Sequence, residues 1–391
     1  MRILVINPYS YIHKDIMEAL TEMYGKENVN ELTYLFKGKD VYINDEFAEL
    51  LETELTKIRY DLIFSTNFYP VIATVCHNKN IKYLAWTYDT PMNVVPCSQM
   101  EYDTNFMFLF DRLEVQKYLK MGYTRFFHMP LGVNTGKYEK IVPSKKYEND
   151  ISFMGKLYKS QLNVITAGLK GELAQYLNKL VVTQSGITDR YIVDDLITES
   201  IIDSINQEYR KNGYDLSINK LQLSYAVSEY VTYLDRISIL EVMGRRYDTH
   251  LYTYEAGERE KDILKNVHIH GPLDYNEEMP ALFKSSKINL NWSLRAAQSA
   301  IPLRALDILG CGGFLLSNAQ PELMEWLEDK KEVVLFHNID EAVELAGYYL
   351  EHEEERMRIA AAGLEKVKRD FRYRDRIRKM MEIVFDKRAG I

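Results

Sequence analysis

The pattern with the clearest chemistry lies in residues 287–318. A short apolar run at 288–291, typical of a strand, leads into a polar loop that contains Arg295 and Ser299. Pro302 stands where a helix is expected to begin, and the glycines at 310, 312 and 313 are expected to end it. The free amide groups at the start of such a helix attract anions, phosphate included.

Two charged side chains on this predicted helix suit a nucleotide ligand. Arg304, in the first turn, offers a planar set of donors to phosphate, and Asp307 could accept hydrogen bonds from a ribose diol. The alternative is a solvated helix on which Arg304 and Asp307 pair with each other at a spacing of three residues. The residues alone leave both interpretations open.

A second phosphate-binding pattern follows the predicted strand at 151–154. Gly155 would let a phosphate approach the backbone, and Lys156 would supply a positive charge. An ordinary turn with a surface lysine has the same sequence, so this pattern is weak by itself.

The candidate acid–base groups lie in the N-terminal third of the chain. Asp89 follows an apolar run at 82–86, so we expect it at the carboxyl end of a strand, where it could act as a general base. It could equally form a turn before Thr90 and Pro91 by capping backbone amides. His13 follows the first predicted strand and either faces an acceptor or begins a surface helix, and the second interpretation is favoured.

Patterns that would bind a metal are weak. His268 and His270 alternate on a predicted strand and therefore share one face, but the sequence shows no third ligand. Asp194 and Asp195 lie in a predicted helical segment, where a solvated face is the favoured interpretation. The cysteines at 76, 97 and 311 are widely spaced and form neither a metal-ligand pattern nor a disulfide framework, which favours a reducing cytoplasm.

Composition excludes several classes of protein. The chain has 391 residues, enough for two domains, and a net charge of −8, which does not suit a general nucleic-acid binder. Its 46% hydrophobic and 27% charged residues are typical of a globular protein. No apolar run approaches the roughly 18–20 residues that cross a bilayer, and residues 1–10 do not resemble a signal peptide. We therefore expect a cytoplasmic protein without an integral membrane segment.

Short apolar runs alternate with helical spacing in two series, which predicts parallel βαβ units in an α/β fold. Residues 129–150 contain two prolines, two glycines and many charges. The sequence therefore predicts a first domain at 1–135, a linker at 136–150 and a second domain at 151–370, with a helical insertion at about 159–231. Ligands of such sheets bind outside the carboxyl ends of the strands.

Taken in order, these motifs resemble those of GT-B glycosyltransferases, and most closely the subgroup related to bacterial spore-maturation glycosyltransferases. The likeness rests mainly on residues 289–313, with asparagines at 289 and 291, Leu303, Arg304, Asp307 and the Cys-Gly-Gly at 311–313. Residues 151–158 and 267–275 resemble the phosphate-facing and base-facing loops of the second domain, and residues 60–91 resemble the acceptor-side domain.

The resemblance implies two Rossmann-like domains facing a cleft, and transfer of a sugar from a nucleotide-sugar, with a UDP-sugar favoured. It implies a protein, polysaccharide or lipid-linked glycan as acceptor, and no metal or other cofactor. The candidate catalytic residues for this reaction, from their places after predicted strands, are Asp89 and His13. The implied donor-binding residues are Gly155, Lys156, Gly271, Leu273, Arg295, Ser299, Arg304 and Asp307.

One departure from the family limits this inference. Many retaining GT-B enzymes carry two glutamates eight positions apart, where this chain has Ser299 and Asp307. A serine cannot replace the charge of a carboxylate, so neither a retaining mechanism nor a donor sugar is implied. A catalytically inactive nucleotide-sugar-binding protein and a sugar epimerase of the same architecture are the alternatives.

The basic, amphipathic stretch at 366–388 suits two kinds of contact. In the GT-B pattern the terminal helix, here 371–391, crosses back to pack on the first domain. Peripheral contact with an anionic membrane is the less favoured alternative.

Overall fold

The computed structural model describes residues 1–188 and 190–385, apart from the side chain of Lys39. These residues form two compact units. Unit 1 contains Met1–Thr135, Ser299–Leu306 and the described residues from Val367 onward, and unit 2 contains Gly136–Gln298 and Asp307–Lys366. The end of the predicted C-terminal helix, residues 386–391, lies outside the described residues.

Each unit contains a six-stranded sheet in which all neighbouring strands pair in parallel. The strands of unit 1 are β1 (Ile3–Asn7), β2 (Val29–Thr33), β3 (Leu62–Thr66), β4 (Lys82–Trp86), β5 (Asn105–Leu109) and β6 (Phe126–His128). Those of unit 2 are β7 (Ile151–Met154), β8 (Thr249–Tyr252), β9 (Val267–His270), β10 (Ile288–Asn291), β11 (Leu315–Asn318) and β12 (Val334–Phe336). The predicted α/β class with parallel sheets is therefore confirmed.

Helices connect the strands. Up to the start of unit 2 they are α1 (His13–Tyr24), α2 (Asp45–Lys57), α3 (Pro70–Asn78), α4 (Arg112–Lys120) and α5 (Thr135–Glu139). Next come α6 (Leu162–Thr166), α7 (Gly171–Gly186), α8 (Val193–Leu196), α9 (Glu199–Lys211), α10 (Lys220–Gly244), α11 (Glu258–Ile263) and α12 (Glu278–Ser285). The last are α13 (Leu303–Gly310), α14 (Pro321–Trp326), α15 (Ile339–Glu351), α16 (Glu353–Asp370) and α17 (Tyr373–Phe385).

The strand order creates one switch point in each sheet. The order is β2-β1-β3-β4-β5-β6 in unit 1 and β12-β11-β10-β7-β8-β9 in unit 2. The connections therefore reverse direction between β1 and β3, and between β7 and β10. Loops at the carboxyl ends of these strands diverge, which leaves room for a ligand.

Both sheets are buried on their two faces, as continuous apolar strands require. In unit 1 the side chains of Ile3–Ile6 and Leu62–Phe64 are no more than 1% exposed. In unit 2, Ile151, Ile288 and Leu316 form part of a core that also includes side chains of α10 and α15. This burial explains why the apolar runs at these positions form strands.

The helical insertion has a core of its own. Side chains of α7, α9 and the first half of α10 pack together, with Leu177, Ile205 and Val227 almost fully buried. Helix α10 begins at an Asn219–Gln222 capping box and ends with Leu240 and Met243 in the core of the unit 2 sheet. One continuous helix thus joins the insertion to the sheet.

Residues 136–150, predicted to be a linker, contribute to unit 2. They include most of α5, and their side chains Tyr138 and Tyr147 are 2% and 3% exposed. Because the segment is rich in prolines and charged residues, its sequence did not indicate that these two tyrosines are buried.

The C-terminal helix α17 belongs to unit 1. Its side chains Ile377, Met380 and Val384 are buried, and the helix packs against α1. Nearby, the Val133 amide donates a 2.8 Å hydrogen bond to the Phe371 carbonyl. Across residues 1–188 and 190–385, no helix is long and apolar enough to span a membrane.

A buried carboxyl fixes the loop after β4. The Glu114 side chain, on α4, accepts 2.7 Å hydrogen bonds from the Thr90 hydroxyl and from the Met92 amide. Burial raises the pKa of Glu114 to about 7, the two hydrogen bonds opposing that shift and Asp111 adding to it. The carboxyl is therefore largely protonated in the folded protein at mildly acidic pH.

We predict that Glu114→Gln removes a pH-dependent loss of stability. The pKa of Glu114 is higher in the folded protein than in the unfolded chain, so the protonated carboxyl stabilises the folded state. This stabilisation is fully present below about pH 4.5 and is lost as the pH rises through about 7. Between pH 5 and pH 8, the unfolding free energy of the unaltered protein should fall relative to the variant by on the order of 2–3 kcal/mol.

The measurement is urea unfolding of both proteins at several pH values. Glu49→Gln, at an exposed position on α2, is the matched control and should follow the unaltered protein. Parallel stability profiles for Glu114→Gln and the unaltered protein would contradict the assignment.

Candidate functional site

A buried arginine joins two loops at the switch point of unit 2. Arg236, on α10, is 7% exposed and donates hydrogen bonds to the carbonyls of Lys156 and Trp292. Lys156 follows β7 and Trp292 follows β10, so one guanidinium holds the two loops that the topology makes diverge. Sequence analysis missed Arg236, because nothing in its helical segment marks it as different from a surface arginine.

The predicted phosphate loop at Gly155 and Lys156 is held by an acidic side chain. The Glu255 carboxylate, after β8, accepts a 2.8 Å hydrogen bond from the Tyr158 amide and another from the Leu157 amide. Burial acts to lower the pKa of Lys156, but Tyr254, Tyr158 and Glu255 raise it overall. The Lys156 side chain is exposed, and its raised pKa keeps the ammonium group positively charged at neutral pH.

A second carboxyl lies near this lysine. Burial raises the pKa of Glu229, on α10, to about 6, with Glu255 adding to the shift and Lys156 opposing it. At mildly acidic pH this group therefore titrates beside Lys156. An anionic ligand at Lys156 would favour the protonated form of Glu229.

Arg295, predicted to bind the donor, forms a buried ion pair. Its Nε lies 2.6 Å from Asp235 Oδ2, a second nitrogen lies 3.1 Å from Oδ1, and both side chains are 9% exposed. Burial raises the pKa of Asp235, and the arginine opposes this shift. A third nitrogen donates to the Ile187 carbonyl at 3.1 Å. The protein thus uses most of the donors that were predicted for a ligand.

A cavity of about 230 Å³ lies at the carboxyl ends of β10, β11 and β12, beside this ion pair. Its lining is mostly polar or aromatic and includes Arg190, Trp292, Gln298, Asn318 and His337. The cavity is therefore located where ligands of parallel sheets bind, and its lining offers both stacking and hydrogen-bonding groups.

Asp307, predicted to hold a ribose, is 1% exposed and bound by two tyrosines. The Tyr138 hydroxyl donates to Asp307 Oδ1 at 2.8 Å, and the Tyr275 hydroxyl donates to Oδ1 and Oδ2 at 3.1 and 3.3 Å. Burial, followed by the adjacent Asp307, raises the pKa of Tyr138, which keeps this phenol a donor. Lys137 Nζ lies 5.1 and 4.9 Å from the two rings.

This cluster connects Asp307 with the loop that follows β9. Tyr275 lies on that loop, which also carries the predicted residues Gly271 and Leu273. Gly271 is exposed and Leu273 is half-buried. The structure therefore brings three predicted donor residues to one region of unit 2, through two tyrosines that the sequence did not single out.

Ser299, also predicted to bind the donor, is held within unit 1. Its Oγ donates to Asp111 Oδ1 at 2.7 Å, and its amide donates to Oδ2 at 3.0 Å. Asp111 also accepts hydrogen bonds from the first amides of α4, so it caps that helix. With 3% exposure, Ser299 has a structural partner, and its predicted contact with the donor stays a prediction.

Arg304 is half-buried in the first turn of α13. This is the position that the sequence predicted for it, one turn before Asp307. Its role in binding a diphosphate likewise stays a prediction.

Asp89 lies beyond the carboxyl end of β4, as expected. Its Oδ2 accepts hydrogen bonds from the Asn67 side chain at 2.8 Å and from the Asn93 side chain at 3.4 Å. Both asparagines line a cavity of about 150 Å³ with apolar walls that include Phe68 and Met92. Asn67 follows β3, and sequence analysis missed it.

His13, the other predicted catalytic residue, is buried. It lies at the start of α1 with 6% exposure, and its Nε2 is 3.1 Å from Glu31 Oε1 on β2. Burial lowers the pKa of His13, and Glu31 opposes this shift. His13 begins a helix, as the favoured interpretation expected, but its side chain is buried rather than on the surface. Its predicted catalytic role stays a prediction.

Comparison with known proteins places these features in a family context. Residues 234–382 match the family model described as glycosyl transferase-like. No curated protein sequence matches the chain. The matched segment runs from α10 to α17 and includes Arg236, Arg295 and Asp307.

Several solved structures share the fold over nearly the whole chain. A glycosyltransferase from Rickettsia africae has a TM-score of 0.57 at 12% identity, covering 98% of this chain and 97% of its own. Sucrose-phosphate synthase from Thermosynechococcus elongatus has a TM-score of 0.56 at 11% identity, covering 98% of each chain. Anabaena HepE in complex with UDP-glucose has a TM-score of 0.55 at 10% identity, covering 98% and 99%. The chain therefore has the GT-B fold, and its residues 234–382 are similar in sequence to a glycosyl transferase-like domain.

Proposed function

We propose that the protein is a glycosyltransferase that moves a sugar from a UDP-sugar to a protein, polysaccharide or lipid-linked glycan in the cytoplasm. The observation that carries this proposal is the match of residues 234–382 to the glycosyl transferase-like model. That segment contains Arg236, Arg295, Tyr275 and Asp307 of the region described above. The HepE structure, which contains UDP-glucose, supports the choice of donor. The motif at 289–313 further supports the spore-maturation-type subgroup.

The donor nucleotide is proposed to bind on α13 and the loops around it. Asp307 would hold the ribose diol, replacing its weaker hydrogen bonds to Tyr275 at 3.1 and 3.3 Å while the 2.8 Å bond from Tyr138 remains. A carboxylate has enough lone pairs for one phenol and a diol. Lys137, above both tyrosine rings, would keep the local potential positive.

We propose that protein groups, rather than a metal ion, stabilise the negative charge of the leaving diphosphate. Arg304 and the amide groups of the first turn of α13 are the proposed donors on that helix, and Lys156 is the proposed cation on the loop after β7. Such fixed donors stabilise the charge that develops as the bond between sugar and phosphate breaks. No metal is needed in this account.

Asp89 is proposed to take the proton from the acceptor hydroxyl. Its carboxylate is oriented by Asn67 and Asn93, which also line the apolar cavity of unit 1. A carboxylate that is held in one orientation suits a general base.

A nucleotide-sugar-binding protein without transfer activity is the second candidate. Ser299 stands where many relatives of this fold carry a glutamate, and its hydroxyl is bound to the Asp111 carboxylate. A transfer assay with analysis of the products separates this candidate, and also the sugar epimerase, from the proposed enzyme.

Arg304→Ala is expected to weaken UDP binding by about 1.5–3 kcal/mol, the scale of a charged hydrogen bond. Isothermal titration calorimetry with UDP measures this loss. Arg358→Ala, at a side chain that is 59% exposed on α16, is the matched control and should leave the affinity unchanged. Equal UDP affinity in both variants would remove Arg304 from the site.

Transfer is expected to persist in excess EDTA, because protein donors rather than a metal meet the diphosphate charge. The rate of UDP release, measured with and without chelator, checks this expectation. A rate that vanishes with EDTA and returns with Mg²⁺ or Mn²⁺ would contradict the proposal and direct attention to Asp194 and Asp195 on α8.

Asp89→Asn is expected to slow transfer by about 10²–10⁴-fold, the usual contribution of general acid–base catalysis. The amide oxygen can still accept a hydrogen bond from Asn67, so UDP affinity and melting temperature should stay the same. Turnover, UDP affinity and melting temperature are measured on one purified sample. Near-normal turnover together with a lower melting temperature would instead assign Asp89 to capping the turn.

A further inference from the structure

Strands β8 and β9, at one end of the unit 2 sheet, bring imidazole and carboxylate groups to one face. In the parallel register of β8 and β9, His250 lies opposite His268 and Tyr252 lies opposite His270. Because side chains alternate along a strand, these four residues share a face, and Asp248, two residues before His250, shares it too. Strand β8 and the residue before it therefore supply the further ligands that the sequence did not show beside His268.

Three ligand atoms on this face are spaced as they would be around one ion. Asp248 Oδ1 lies 3.1 Å from His250 Nε2 and 3.3 Å from His268 Nε2. All three atoms lie within 4.8 Å of one another. A tetrahedral zinc ion with bonds of about 2.0–2.1 Å separates its ligand atoms by about 3.3 Å. Small side-chain rotations would therefore close the set around a metal.

A further histidine orients the central ligand. His250 Nδ1 lies 2.9 Å from His270 Nε2, which leaves His250 Nε2 to face Asp248 and His268. The His250 and His270 rings stack with centroids 5.1 Å apart, and Tyr252 stacks on the His270 ring at 4.6 Å. Metal-binding histidines commonly use their other ring nitrogen in this way, which fixes the tautomer and the ring orientation.

We propose that Asp248, His250 and His268 bind a divalent transition-metal ion of the zinc class, with His270 as a positioning residue and water in the fourth position. Two imidazole nitrogens and one carboxylate oxygen suit zinc, cobalt and nickel better than magnesium or calcium. The exposed fractions of the His268 and Asp248 side chains are 62% and 46%, so an ion can reach the site from solvent.

The site would act on stability rather than on transfer. It connects the residue that precedes β8 with β9, which is an edge strand paired only with β8. An ion that binds the folded state but not separated strands stabilises the folded state. Removing it should lower the melting temperature of the protein and leave sugar transfer unaffected.

The test is metal titration of the full chain without an affinity tag, after treatment with EDTA and removal of the chelator. Calorimetry with Zn²⁺ should show one bound ion for each chain. Co²⁺ should give the intense visible absorption of a tetrahedral site. Donor and acceptor are absent, so the result is independent of the proposed enzymatic function.

Two variants locate the ion. His268→Gln replaces a largely exposed ligand and is expected to weaken Zn²⁺ binding by at least about a hundredfold, while His270→Gln should weaken it by about 10–100-fold. His352→Gln, at an exposed histidine after α15, is the matched control and should bind as the unaltered protein does.

Two outcomes would overturn the proposal. The first is the absence of stoichiometric Zn²⁺ binding by the unaltered, folded protein. The second is Zn²⁺ binding that His268→Gln and Asp248→Asn both leave intact, since the ion would then lie elsewhere. Circular dichroism confirms that each variant is folded, so weaker binding cannot be attributed to unfolding.

Discussion

The buried guanidinium of Arg236 is the interaction on which the proposed donor region depends. A charge taken out of water is tolerated only where hydrogen bonds replace its hydration, and here carbonyls of Lys156 and Trp292 do so. These carbonyls belong to the loops after β7 and β10, which flank the switch point of the sheet. Any change that moves Arg236 would therefore displace both loops together, including the segment that leads to Arg295.

Arg236 reaches this position because the helical insertion and the sheet share α10. The first half of the helix packs with α7 and α9, and the second half enters the sheet core. Asp235, the preceding residue, binds Arg295 from the loop after β10. Successive residues of one helix thus hold the loops at the carboxyl ends of the strands, which gives the insertion a direct physical link to the proposed donor region.

In unit 1, buried carboxyl groups hold the loops in place through hydrogen bonds. Glu114 binds the two ends of the turn that follows Asp89, and Asp111 binds Ser299 while it caps α4. Both carboxyls lie in or beside the first turn of α4, and both accept hydrogen bonds from backbone amides. The loop that carries the proposed general base is therefore fixed by the start of a helix, and this rigidity suits a group that must meet a hydroxyl in one orientation.

The sequence alone predicted the parallel α/β class, the strands that match β4, β7 and β10, and the positions of Asp89, Arg304 and Asp307, because apolar runs and turn residues act locally. It missed β2 and β6, since β2 is a half-exposed edge strand and β6 has three residues. Only the tertiary structure could bring Arg236 to the loops after β7 and β10, two tyrosines to Asp307, and Asp248 to His268. Those contacts join residues far apart in the chain, and their geometry is set by strand register and helix packing rather than by sequence spacing.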